Sequence, residues 1–185
     1  MRIDKNIRVL GVDDSPKGKD GKVLVAGVIY RGGTIEGVLS THVIFDGDDS
    51  TRKAIAMLRR SRFADQVKVI MLNSIMLGGL NVADINRISD EFGIPVIAVT
   101  RHLPRMERVK KAISHVKNEK QKLKRLAMAG ESAGFAANGT RRFAQFAGIS
   151  NDDVQKIFNA VGLEPVRLAH IIASGIVTGE SKGRL

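Results

Sequence analysis

Two acidic clusters stand out in the first fifty residues. Asp13 and Asp14 end the apolar run IRVLGV, and Asp46, Asp48 and Asp49 follow the apolar stretch that closes at Phe45. A charged pair at the end of a buried strand carries a desolvation cost that a metal ion or a basic partner relieves. Carboxylates gathered from separate elements suit Mg2+ or Mn2+, hard cations that take oxygen ligands, keep several waters and bind phosphate. The same residue types also have plainer uses: Asp14-Ser15-Pro16 as a turn, and Asp48 to Thr51 as a helix cap. Asn73, after the apolar run VKVIML, offers a metal an amide oxygen but brings no charge and cannot act as a base. Arg101, just past PVIAVT, could grip a phosphate through two hydrogen bonds or simply open a basic surface segment. His170 sits in an apolar helical stretch, where a satisfied boundary histidine and a catalytic or phosphate-contacting one are both open. Gly78-Gly79 precede a helix expected to start near Asn81, whose first amides could receive a phosphate.

The elements that must carry these residues follow from hydrophobic period and turn signals. Residues 7–12, 23–30 and 35–45 read as three strands joined by connections too short for crossover helices, hence as an antiparallel meander. A change of rhythm follows: a helix through Ile55, Leu58 and Phe63, a strand at 67–72, a helix at 81–92 closed by Gly93, and a strand at 95–99. Residues 101–125 then predict one or two amphipathic helices, and Arg142 to Phe146 an extra strand or hairpin. Asn151-Asp152-Asp153 and Glu164-Pro165 open two further helices. Three antiparallel strands followed by alternating helix and strand is the layout of the ribonuclease H-like α/β fold. Its mixed sheet has order 3-2-1-4-5, with helices on both faces. Strands one and four are then parallel neighbours about 4.8 Å apart, and ligands gather at their C-terminal edge, where Asp13 and Asn73 fall.

Composition narrows the function classes. The chain has 185 residues, suggesting one domain over 1–185, and no cysteine, which excludes disulfides, thiolate metal sites and cysteine nucleophiles. No apolar run approaches a membrane span and the start lacks a secretory segment, so a cytoplasmic protein without membrane contact is expected. Aromatic residues make up only 4%, too few for a platform that stacks exposed bases. Of the formal charge of +11, residues 101–125 supply +8, from ten basic and two acidic side chains. That segment is the expected contact for DNA or RNA, the alternative being an ordinary solvated helix face.

Taken together, GVDDSP, VIFDGDDST, VIMLNS, PVIAVTR and EPVRLAH followed by GESKGR resemble an uncharacterised, mainly archaeal family of small proteins related to endonuclease V, over nearly the whole chain. The resemblance implies a ribonuclease H-like fold and metal-dependent hydrolysis of a phosphodiester near a deaminated purine. It places the first-strand aspartate on Asp13, the middle acid within Asp46 to Asp49, the basic residue after the fifth strand on Arg101 and the late helix motif on His170. At the end of strand four, where endonuclease V carries an aspartate, this chain has Asn73. Asp14 replaces the missing charge, or one metal suffices, or the protein binds nucleic acid without cutting it. A small phosphoester- or nucleotide-handling protein is the alternative outside nucleic acids.

Overall fold

The computed structural model describes residues 2–181. Three strands come first, β1 (Val9–Asp14), β2 (Lys22–Arg31) and β3 (Thr34–Ile44). Between β2 and β3 the chain reverses through Gly32 and Gly33 at φ 57° and 88°, the left-handed pair that a two-residue hairpin turn requires. Helix and strand then alternate: α1 (Ser50–Arg59), β4 (Val69–Leu72), α2 (Ile85–Phe92) and β5 (Val96–Thr100). Two helices, α3 (Met106–Ile113) and α4 (Glu119–Met128), lead to β6 (Ala133–Ala137) and β7 (Thr140–Ala147). The described chain closes with α5 (Asn151–Val161) and α6 (Glu164–Thr178).

The sheet has the order β3-β2-β1-β4-β5-β7-β6. The meander is antiparallel, and β1, β4 and β5 are mutually parallel. This is the ribonuclease H-like order 3-2-1-4-5, extended at one end by a hairpin. The stretch around Arg142 to Phe146 forms β7, antiparallel to β5 on one side and to β6 on the other. Alternation along each strand feeds two cores. Leu10, Val12, Ile70, Leu72 and Ala98 meet Ile55, Leu58, Ile88, Ile113 and Leu126 on one face. Val9, Val69, Met71 and Ile97 meet Val154, Ile157, Phe158 and Val166 on the other. No single described helix is long and apolar enough to cross a membrane; α5 and α6 are apolar enough together, but they meet at 64° and pack on the sheet.

Two expectations change. The second helix starts at Ile85, not near Asn81: Asp84 is its cap, accepting from the Arg87 amide at 3.0 Å. Asn81 is instead fully buried in the loop, where Oδ1 accepts from the Ser50 amide (3.1 Å) and Nδ2 donates to the Ile44 carbonyl (3.0 Å) and Asp49 Oδ1 (2.8 Å). The basic segment is two helices, and it is not basic on its outside alone. Arg101, Arg105, Arg108, Lys110, Lys111, Lys117, Lys120 and Lys124 are exposed, whereas Lys122 and Arg125 are buried.

Candidate active site at the end of the first strand

β1 alternates Val9, Gly11 and Asp13 toward α6, and Leu10, Val12 and Asp14 toward the opposite core. Gly11 lets α6 lie directly on the strand: a Cβ there would stand 2.1 Å from the Pro165 carbonyl carbon. From that crossing, five helical residues rise about 7.5 Å and two strand residues about 6.6 Å, so His170 arrives over Asp13. Small Ala169 and Ala173 keep the helix close along this path.

Asp13 is 3% exposed. Its Oδ2 contacts His170 Nδ1 at 2.8 Å and accepts from Asn73 Nδ2 at 2.9 Å. Asn73 stands there because its amide continues the parallel ladder past β4, donating to the Val12 carbonyl at 2.9 Å. Asp14, on the other side of the strand end, accepts from the Gly78 amide at 2.8 Å. Burial first, then the charge of Asp14, push the Asp13 carboxyl up from 3.8 to about 7; the Asp14 amide, the Asn73 bond and His170 pull it partly back. Burial likewise raises Asp14, against the opposing bond from Gly78. With Nδ1 turned to Asp13, the His170 ring directs Nε2 away from the carboxyl pair. When Asp13 is ionised, Nδ1 carries the hydrogen and Nε2 is the basic nitrogen.

The second acidic cluster does not converge on Asp13 as a unit. Asp46 sits at φ 54° and reaches the same loop as Asp14: its Oδ1 accepts from the Leu80 amide and its own amide donates to the Gly78 carbonyl, both at 2.8 Å. Asp48 is turned away, with Oδ1 on Arg125 Nη1 at 2.5 Å and Oδ2 on Asn118 Nδ2 at 3.3 Å. Asp48, expected as a metal ligand, here provides the counter-charge that the buried Arg125 guanidinium needs. Asp49 is occupied by the Ile44 amide and Asn81. The Gly78 amide is given to Asp14, and the helix whose first amides were expected to receive a phosphate starts later, at Ile85. Arg101 is exposed beyond β5, two strand spacings or roughly 10 Å across the sheet from β1; among the described residues it makes no hydrogen bond to Asp13.

Among the described residues no group of three His, Asp or Glu side chains is arranged to hold a metal ion. The carboxyl pair nonetheless fits one hard divalent cation. A buried and a half-buried acid whose ionisation is opposed by desolvation, and for Asp13 also by the charge of Asp14, are relieved by positive charge, and their oxygens are the donors such an ion takes. Asp46 borders the pair across the Gly78–Leu80 loop, and Asn73 can present an oxygen if its amide turns over.

A model of the Endonuclease dU family matches residues 5–177. The chain belongs to the Endonuclease dU family. A UPF0215 protein of Methanosarcina mazei is 38% identical, over all of this chain and 97% of its own length. A crystal structure of a protein of unknown function from Archaeoglobus fulgidus, 38% identical, superposes with a TM-score of 0.84 over 92% of this chain and 98% of that one. Endonuclease V of Ciona intestinalis, solved with a 23mer DNA containing an inosine followed by a ribo-adenosine, is 13% identical. It shares the fold at a TM-score of 0.57, over 95% of this chain and 87% of that one. This member of the Endonuclease dU family thus pairs an endonuclease V-like fold with a neutral Asn73 beside its buried Asp13. Gly11, Lys122 and Arg125 escape a motif reading. A glycine inside a strand is the one local sign of close backbone approach; nothing local marks the other two. Of the late motif GESKGR, residues 182–184 lie outside the described residues.

Proposed function

We propose that the protein is a metal-dependent endonuclease that cuts nucleic acid near a deaminated nucleotide, acting as one domain over residues 1–185. The observation that carries this reading is buried Asp13 beside half-buried Asp14 at the C-terminal edge of β1, with His170 on Asp13, in a member of the Endonuclease dU family. Asp13 and Asp14 would hold Mg2+ or Mn2+, with Asp46 and Asn73 as neighbours. When bound, the cation supplies positive charge to the carboxyl pair and to the scissile phosphate. Asp13 orients His170, whose Nε2 takes the proton released when water attacks phosphorus, while the P–O bond to the leaving strand breaks and its oxygen takes a proton from solvent. The eight exposed basic residues of 101–124, Arg101 among them, neutralise the backbone on either side. The family name points to deoxyuridine, and the DNA bound by the Ciona enzyme to inosine.

The test is incubation of the protein with single- and double-stranded DNA and RNA carrying deoxyuridine or inosine, in Mn2+ and in Mg2+. Cleavage of a lesion-containing strand is expected, reduced at least about 100-fold in Asp13→Asn, the order expected for loss of one preorganised charged group. Binding without cleavage of any of these substrates sinks the nuclease reading and leaves a nucleic-acid-binding protein of the same fold. Asn73 favours that second reading, since it turns an N–H rather than a charged oxygen toward Asp13. Replacing Asn73 with Asp then decides whether charge is what is missing: cleavage gained in that variant supports the binder, whereas unchanged silence rejects the cation site at this edge.

A further inference from the structure

α4 carries basic side chains on two sides. Lys120 and Lys124 are exposed, while Lys122, about 200° around the helix from each, is 0% exposed and Arg125 is 9% exposed. Neither buried cation can meet a phosphate backbone, and both bond to groups inside the protein. Lys122 Nζ donates to the Asp46 carbonyl at 2.7 Å. Arg125 Nη1 spans two segments, with Asp48 Oδ1 at 2.5 Å and the Val82 carbonyl at 2.9 Å. The guanidinium therefore staples the 46–48 turn to the 78–82 loop.

The contacts continue from there to the carboxyl pair. Asp46, in the left-handed conformation, takes the Leu80 amide on its side chain and gives its own amide to the Gly78 carbonyl. Gly78 in turn donates to Asp14 Oδ2. The loop is tightly seated: a Cβ at Gly79 would stand 2.4 Å from Asp46 Oδ1. A cation on α4 thus reaches Asp14 through one turn and one loop, all by hydrogen bonds of 2.5–2.9 Å.

We infer that Lys122 and Arg125 are positioning residues, which from the inner side of the basic helix fix the turn and loop that hold Asp14 in place. This rests on Asp13 and Asp14 being the reactive pair, and it divides the basic segment into eight residues for binding and two for site geometry. The deciding measurement is amide hydrogen exchange at Gly78 and Leu80 in the free protein, read beside cleavage at saturating substrate. Arg125→Ala is expected to raise exchange at those two amides at least tenfold while Met71 and Ala98 in the sheet stay protected. It should lower the saturating cleavage rate at least tenfold with KM within twofold. Arg125→Lys, which can reach one of the two acceptors, should recover part of both effects. Lys120→Ala, on the outer side, should leave the exchange unchanged. If Arg125→Ala does not fold, Lys122→Met, which keeps the buried stem and removes the donor, carries the same expectation. Unchanged exchange at Gly78 and Leu80 overturns the inference, as does an increase spread evenly over the sheet. Should the wild-type protein cleave nothing, the nuclease reading fails while the exchange data still decide the positioning role.

Discussion

Asp13 brings two partners to one buried oxygen, His170 and Asn73. Its carboxyl is raised from 3.8 to about 7 by burial and by Asp14, so the folded state binds that proton more tightly than the unfolded chain does. The stability it contributes is complete below about pH 4 and is lost as pH rises through 7, a change on the order of a few kcal/mol. The carboxylates whose values are lowered, Asp20, Glu36 and Asp153, act in the opposite sense and only in acid, as pH falls below about 4.5. In chelator, the thermal midpoint is therefore expected to fall between pH 5 and 8 in the wild type and to flatten over that range in Asp13→Asn. Equal slopes in the two proteins would show that Asp13 titrates normally. Asp13 and Asp14 were legible in sequence because an apolar run stops on them. The role of Asp48 was not, since the group that claims it, Arg125, lies 77 positions away.

At the scale of elements, the site depends on how α6 crosses β1. Pro165 sits on Gly11 with no room for a Cβ, and the matching rise of helix and strand from that point brings His170 to Asp13. Gly11→Ala should cost about 3 kcal/mol, the upper end for overpacking a tight core, measured by denaturant unfolding. It should also remove the coupling between His170 and Asp13 in a double-mutant cycle. A loss below about 0.5 kcal/mol would mean that the helix can shift at little cost. Strand and helix positions were largely legible, because apolar period and turn residues are local signals. The start of α2 was misplaced because Asn81, a residue type that caps helices, is used here as a buried clamp between the loop, α1 and β3. Only the packed loop distinguishes these uses.

Across the whole molecule, the +11 charge is strongly uneven, and eight of the ten basic residues in 101–125 face solvent. Affinity for duplex DNA is expected to fall linearly in log K against log salt, by about 0.9 for each phosphate contacted. Lys120→Ala should reduce that slope by roughly 1, and Arg125→Ala should leave it unchanged, as followed by fluorescence anisotropy. A flat dependence would remove α3 and α4 as the backbone contact. The charge of this segment is thus divided: eight residues face solvent, and Lys122 and Arg125 turn inward to the acidic turn at 46–48.

Sequence alone determined the order 3-2-1-4-5 of the first five strands, the layering of helices on both faces and the placement of Asp13 and Asn73 on neighbouring strand ends, but not the β7-β6 extension of the sheet. Those features follow from period, turn chemistry and the length of connections, all read within a few residues. Tertiary structure decided which partner each acid received: His170 for Asp13 across 157 positions, Gly78 for Asp14 across 64, and Arg125 for Asp48 across 77. The physical reason is that a buried charge must be satisfied by whatever donor the packing brings to it, and packing is set by contacts such as Pro165 on Gly11 that no local pattern encodes.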